Sequence, residues 1–298
     1  MCGQKKITLD LVALKGEAER NPKMISKMKV ATPNGWQKLF DTVKKMRATN
    51  PNAPVDTIGC DMLHDTTASR EVQRYQMLLA LMLSSQTRDQ KTAAAMEALK
   101  KYGCTVDNLL HTSEAKVKEL IHPVSFYNRK AEYIKRTTLL ITREHNRKVP
   151  TTYKELLALP GLGPKMAHLF LQCSEGKVEG IAVDVHVHRI CQRFLWAPKT
   201  KGGKVDSAAT TAEDTRRHLE AWVPRQHWDS INSVLVGLGQ TICTARNPKC
   251  GDCAANEMCP NAFIESREKK SGDKKRQRSG SEKDVRDLEE ICSKLKRR

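Results

Sequence analysis

No run of apolar residues in this 298-residue chain is long enough to cross a bilayer. The longest, Met77 to Leu83, falls far short of the roughly 20 residues that a spanning helix needs. The first twenty residues lack a long apolar core and a small-residue cleavage pair, and Asp10, Glu17 and Glu19 interrupt them. No secretory signal is therefore expected, and a mitochondrial address is weak. Strand signals are nearly missing and no fixed-period repeat is visible, which leaves packed helices as the expected architecture. A disulfide framework is not expected either. The ten cysteines come without a signal peptide and are unevenly spread: Cys2, Cys60, Cys104, Cys173, Cys191 and Cys292 are scattered, several of them among apolar neighbours, as reduced buried thiols would be. A reducing intracellular compartment follows.

Charge of one sign, by contrast, is abundant. The net charge is +18, and the stretch from Ser266 onward accounts for only +6 of it, so residues 1–265 carry +12. A folded part that is itself basic points to an anionic partner such as nucleic acid, although basicity alone fits a lysine-rich soluble surface as well.

Along the chain, residues 1–29 read as a flexible, lysine-rich leader. Trp36, Leu39, Phe40, Val43 and Met46 recur at helical spacing, and Asn50 to Thr67 reads as connection. Helical patterns then cover segments near 71–84, 89–102, 115–121, 128–146, 152–158, 164–174, 184–195, 211–222 and 228–240, separated by short loops. From 263 the tail is basic and expected to be mostly disordered, with KKRQR at 274–278 and KLKRR at 294–298. Val285, Leu288, Cys292 and Leu295 there have the spacing of a short amphipathic helix that could form on a protein partner.

Cys243, Cys250, Cys253 and Cys259 form a C-x6-C-x2-C-x5-C array. Zinc sites usually draw on two close pairs, and only Cys250 and Cys253 make one. The wider gaps suit a loop wrapped around an iron–sulfur cube with four irons to ligate, so a [4Fe-4S] cluster stands ahead of zinc, and free thiols come last. Arg246 and Lys249 in the same loop offer positive charge to phosphate.

The stretch TTYKELLALPGLGPKMAHLFLQC reads as helix, hairpin, helix. Thr152 and Glu155 are spaced as a capping box, Pro160 to Gly163 make a tight turn, and Pro164 suits the first position of a second helix. Gly161 and Gly163 permit close backbone approach and leave turn N–H groups at a helix N-terminus, a phosphate-binding geometry without base information. Lys165 stands in the first turn of that second helix, where the helix dipole and partial burial work against its charge, so that it can serve as a nucleophilic amine. Nineteen residues on, Asp184 precedes VHVHRICQRFL, where an ionised carboxylate can cap a helix.

LPGLGPK followed by VDVHVHRI, together with the cysteine spacing, resembles the endonuclease III family over residues 30–262. That resemblance implies a bifunctional DNA glycosylase and abasic-site lyase acting on oxidised pyrimidines in duplex DNA. It assigns Lys165 as the nucleophile on the sugar C1′, Asp184 as the anion that stabilises developing positive charge, and the four cysteines as cluster ligands. LSSQTRD resembles the family loop whose glutamine fills the hole left by an extruded base, here Gln86, with a helix cap as the competing role. HPVSFYNRKAEYI resembles, more loosely, the segment with an apolar wedge, here Phe126, a core aromatic being the alternative. His186 lines the pocket or is a solvated or capping histidine.

The expected fold is all-α in two domains. Residues 68–178 form a helical domain with the hairpin, and residues 30–67 plus 179–262 form the cluster domain, with double-stranded DNA in the cleft between them. A monomer without membrane attachment is expected, nuclear by its basic tail and with a mitochondrial fraction left open. An adenine-mismatch glycosylase of the same superfamily, a non-catalytic DNA-binding module and an electron carrier are the alternatives.

Overall fold

The structure, a computed structural model, describes residues 30–197 and 211–263. The leader and nearly all of the basic tail lie outside them. Among the described residues the chain is entirely helical and turn, without strands, as expected. The helices are α1 (Trp36–Thr49), α2 (Pro54–Ile58), α3 (Arg70–Ser84), α4 (Asp89–Tyr102), α5 (Val106–His111), α6 (Glu114–Ile121), α7 (Tyr127–Glu144), α8 (Tyr153–Ala158), α9 (Pro164–Glu175), α10 (Val185–Arg193), α11 (Ala212–Trp222) and α12 (Trp228–Thr241). Single 3-10 turns occupy Cys60–Met62, Arg225–His227 and Cys250–Asp252. The connection expected over Asn50 to Thr67 thus holds α2 and a 3-10 turn, and α5 is a further short helix. None of the described helices is long and apolar enough to cross a membrane.

The apolar run at Met77 finds its explanation in α3. Every residue from Tyr75 to Leu83 is buried, so this stretch of the helix is covered on all sides, as an apolar run with no polar face must be. It threads a core cluster that also takes Met96 and Leu99 of α4, Val117 and Ile121 of α6, Ile134 and Ile141 of α7, and Phe170 and Leu171 of α9. A second cluster gathers Leu39, Phe40 and Val43 of α1, Val187 and Ile190 of α10, Leu219 of α11 and Leu235 of α12. At its centre Trp36, Trp196 and Trp222 pack edge to face, with centroids 5.3 to 6.4 Å apart. This is the arrangement that aromatic quadrupoles favour.

Polar contacts join the parts that carry the two clusters. The Gln240 amide of α12 donates to the Asp89 carboxylate at the start of α4 (2.7 Å) and accepts from the Val55 N–H of α2 (3.0 Å). The Asn232 amide donates to the Ala182 carbonyl, and that of Gln172 to the Asp229 carbonyl. These bonds hold α12 against the chain segment that leads from α9 to α10.

Candidate active site

The hairpin forms as its residues dictate. Thr152 accepts the Glu155 N–H and starts α8; its hydroxyl donates to the Glu155 carboxylate at 2.6 Å, so the glutamate closes the box on the side chain of Thr152. Gly161 turns the chain at φ +83°, and a Cβ there would stand 2.6 Å from the Tyr133 ring. Gly163 is extended and caps α9 through its backbone alone, with open space where a Cβ would be. Gly161 is therefore demanded by conformation and packing, while Gly163 leaves the helix N-terminus uncovered.

Lys165 occupies the first turn of α9, and Asp184 is the N-cap of α10. One carboxylate oxygen of Asp184, Oδ1, accepts the N–H groups of His186 (2.8 Å) and Val187 (2.9 Å). The other, Oδ2, lies 3.9 Å from Lys165 Nζ. The two side chains keep 33% and 16% exposure, so the pair is ordered by protein on one side and open on the other. Cys60 lies within the field of this amine: burial pushes its thiol up to about 11 while the Lys165 ammonium pulls the other way.

The remaining expected site residues fall in two places. His186 packs its ring against Gly239 of α12 beside Arg189, and burial lowers its pKa, with Asp184 opposing. Gln86 and Phe126 instead stand at the lip of a cavity of about 190 Å³ lined also by Met82, Ser85, Arg129, Lys130, Tyr133 and Gly161. Both adopt left-handed backbone conformations, φ 51° and 57°. Gln86 does not cap α4, whose N-cap is Arg88. Phe126 is 65% exposed and no part of either core. An exposed aromatic held in a strained conformation is a feature that packing does not account for.

One residue of this cavity was not foreseen from the sequence. Lys130, at the end of the first turn of α7, is buried, and its ammonium donates to the Leu83 carbonyl (2.7 Å), the Ser85 carbonyl (2.6 Å) and the Thr87 hydroxyl (2.9 Å). Burial pulls its pKa down to about 8. Its signal was a lysine on the same helix face as Ile134, Thr137 and Ile141.

The four loop cysteines sit past the end of α12, and Cys243, Cys253 and Cys259 pack against the second core cluster. Burial raises the Cys253 and Cys259 thiols, and for each the neighbouring cysteines of the array add to the rise. The four sulfurs thus share one electrostatic neighbourhood. Arg193 of α10 donates to Cys243 Sγ (3.2 Å), and the Phe263 N–H to Cys250 Sγ (3.4 Å), bonds that favour thiolates. Among the described residues no three His, Cys, Asp or Glu converge as they would on a single metal ion. Thiols that feel one another's charge, two of them accepting protein N–H donors, have the chemistry of ligands to a bound metal group.

Residues 79–225 match the model of the HhH-GPD superfamily base excision DNA repair protein, and the helical fold, the hairpin and the amine–carboxylate pair place the chain in that class. The chain is 45% identical over 230 residues to Endonuclease III-like protein 1 of Bos taurus, covering 77% of this chain and 72% of that one. It is 43% identical to the Gallus gallus protein of the same name, covering 82% and 84%. A solved structure of a trapped endonuclease III–DNA covalent intermediate, in an estranged-adenine complex, superposes with a TM-score of 0.64 at 22% identity, over 79% of this chain and 99% of that one. The protein belongs to the endonuclease III family.

Proposed function

We infer that this protein is a DNA glycosylase of base excision repair that also cleaves the abasic strand, with oxidised or saturated pyrimidines in duplex DNA as its substrates. The observation that carries the reading is the 3.9 Å approach of Lys165 Nζ to an Asp184 carboxylate whose other oxygen is fixed by a helix start. The amine lone pair bonds to C1′ of the extruded nucleotide, and the base leaves with the glycosidic electron pair and a proton. Opening of the sugar ring gives an imine on Lys165. Loss of the C2′ proton then breaks the C3′–O bond, and water frees the lysine. Asp184 offsets the positive charge that builds on the sugar and exchanges protons with the amine. Lys165 sits beside the uncovered hairpin turn, so a phosphate bound at Gly161 to Gly163 would bring the neighbouring deoxyribose toward it.

Cys243, Cys250, Cys253 and Cys259 are proposed to hold a [4Fe-4S] cluster. When bound, the cluster ties four thiolates together and stiffens the loop that carries Arg246 and Lys249. Residues 68–178 and residues 30–67 plus 179–262 are proposed as the two domains that flank bound DNA. Nuclear localisation, with a mitochondrial fraction left open, a monomeric state and a repair-protein partner for the basic tail belong to the same proposal.

The test is a duplex carrying thymine glycol, with and without borohydride. The reading expects strand cleavage without reductant and a covalent protein–DNA adduct with it, both abolished by Lys165→Gln. An adduct that survives Lys165→Gln overturns the assignment.

A further inference from the structure

We propose that Lys130 is a positioning residue that locks Gln86 and Phe126 into one rigid unit, so that the two side chains enter the duplex together when a base is extruded. This rests on the enzymatic reading above and deepens it.

The geometry is specific. Two groups of one residue, its ammonium and its backbone N–H, act at this point. The Lys130 ammonium binds the chain on both sides of Gln86, taking the carbonyls of Leu83 and Ser85 before it and the hydroxyl of Thr87 after it. Its backbone N–H donates to the Phe126 carbonyl (3.1 Å), closing the first turn of α7 at the other strained residue. Lys130 thus bridges, by hydrogen bonds from its ammonium and from its backbone N–H, the two loops that carry the left-handed residues Gln86 and Phe126.

The same helix also holds the hairpin. Thr137 donates to the Pro160 carbonyl (3.0 Å), and the Tyr133 ring lies against Gly161. Lys130, Tyr133 and Thr137 stand at helical spacing on one face of α7, so one face sets the register of the Gln86 loop, the Phe126 loop and the turn before Lys165.

An alternative role as a phosphate ligand does not fit. An ammonium has three donors, and all three are taken at 2.6 to 2.9 Å by acceptors of this chain. The lysine is also buried, whereas Arg129 beside it is exposed. The ammonium donates to carbonyls at the C-terminal end of α3, where the helix dipole favours a cation; the Ser85 carbonyl also accepts the Thr87 hydroxyl (3.2 Å).

The experiment is a double-mutant cycle on the full-length, iron-replete protein. Lys130→Met keeps the aliphatic stem and removes the ammonium; Gln86→Ala removes the side chain that it positions. Two readouts are taken: single-turnover excision of thymine glycol from a duplex, with KM measured separately, and borohydride trapping on single-stranded abasic DNA, which has no hole to fill. Lys130→Met is expected to slow duplex excision about tenfold or more, with KM and single-stranded trapping each within about twofold. In the Gln86→Ala background it should cost less than about twofold, because the loss has already been taken. Should Lys130→Met not fold, Thr87→Val, which removes one of the three acceptors, carries the same cycle and is expected to slow duplex excision about threefold. Equal losses on both substrates, or losses that multiply across the cycle, would overturn the proposal. If the unmodified protein forms no adduct on either substrate, the enzymatic reading itself falls, and this inference with it.

Discussion

Asp184 divides its carboxylate between two tasks: Oδ1 fixes the first turn of α10 through two backbone N–H groups, and Oδ2 faces Lys165 across 3.9 Å. The helix start therefore aims the anion at the amine. Asparagine can keep the cap through its carbonyl oxygen while giving up the charge, whereas alanine gives up both. Asp184→Asn should leave the denaturation midpoint unchanged and lower single-turnover excision by about 100-fold or more, the scale of a lost acid–base or charge-stabilising group. Asp184→Ala should lose as much activity and a further ~1 kcal/mol of stability, the usual cost of an N-cap. Equal stability losses in the two variants would show that the carboxylate is not acting through one oxygen on each task.

The two hairpin glycines make opposite predictions. At Gly161 a methyl group meets the Tyr133 ring at 2.6 Å and the backbone is left-handed, so Gly161→Ala should cost about 1–3 kcal/mol in urea unfolding. At Gly163 φ is −115° and nothing stands within 4 Å, so Gly163→Ala should hold its stability within about 0.5 kcal/mol. Its methyl group projects where a phosphate would approach the N-terminus of α9, so its DNA affinity should fall. Unimpaired affinity in Gly163→Ala would move phosphate binding away from the turn.

What could be foreseen from the sequence divides along physical lines. The longer helices were legible because three or more turns repeat an apolar period, as in α1 and α7. α2 and α5, of five and six residues, complete too few turns to show a period, and both were missed. Lys165, Asp184 and the cysteine array were legible because the chemistry needs those residue types at characteristic spacings. Lys130 was not, because two of its three acceptors are backbone carbonyls at and just past the end of α3, and backbone groups leave no trace in residue identity. The Gln240 link to Asp89 joins two side chains and was hidden for a different reason, its partners lying 151 residues apart.

The cysteine loop yields a prediction that does not depend on activity. Cys243, Cys253 and Cys259 pack against the cluster that contains Trp36, Trp196 and Trp222, so loss of the bound group should disturb the tryptophans. Cys253→Ser should purify with little iron and a red-shifted tryptophan emission, with stability lower by on the order of several kcal/mol, since ligand binding to the folded state is folding free energy. Full iron content in this variant would remove Cys253 from the ligand set.

A final prediction concerns acid. His168 of α9 is buried, its ring stacks on Tyr153 with centroids 4.4 Å apart, and neither ring nitrogen has a hydrogen-bond partner among the described residues. Burial first, and then the Arg216 guanidinium, pull its pKa from 6.5 to about 4, with Glu213 opposing. Between those values the unfolded chain binds a proton that the folded chain refuses, so stability rises with pH across this window and is lost as pH falls through it. His168→Phe keeps a ring against Tyr153 and removes the titration. Urea unfolding at pH 7 and pH 4.5 should show the unmodified protein losing on the order of 2 kcal/mol more than the variant over that interval. His186, His188 and His218 are also depressed by burial, and they contribute equally to both proteins, so the difference isolates His168. Parallel pH dependences would mean that water reaches the ring and that the site is not sealed as the packing of α8 on α9 indicates.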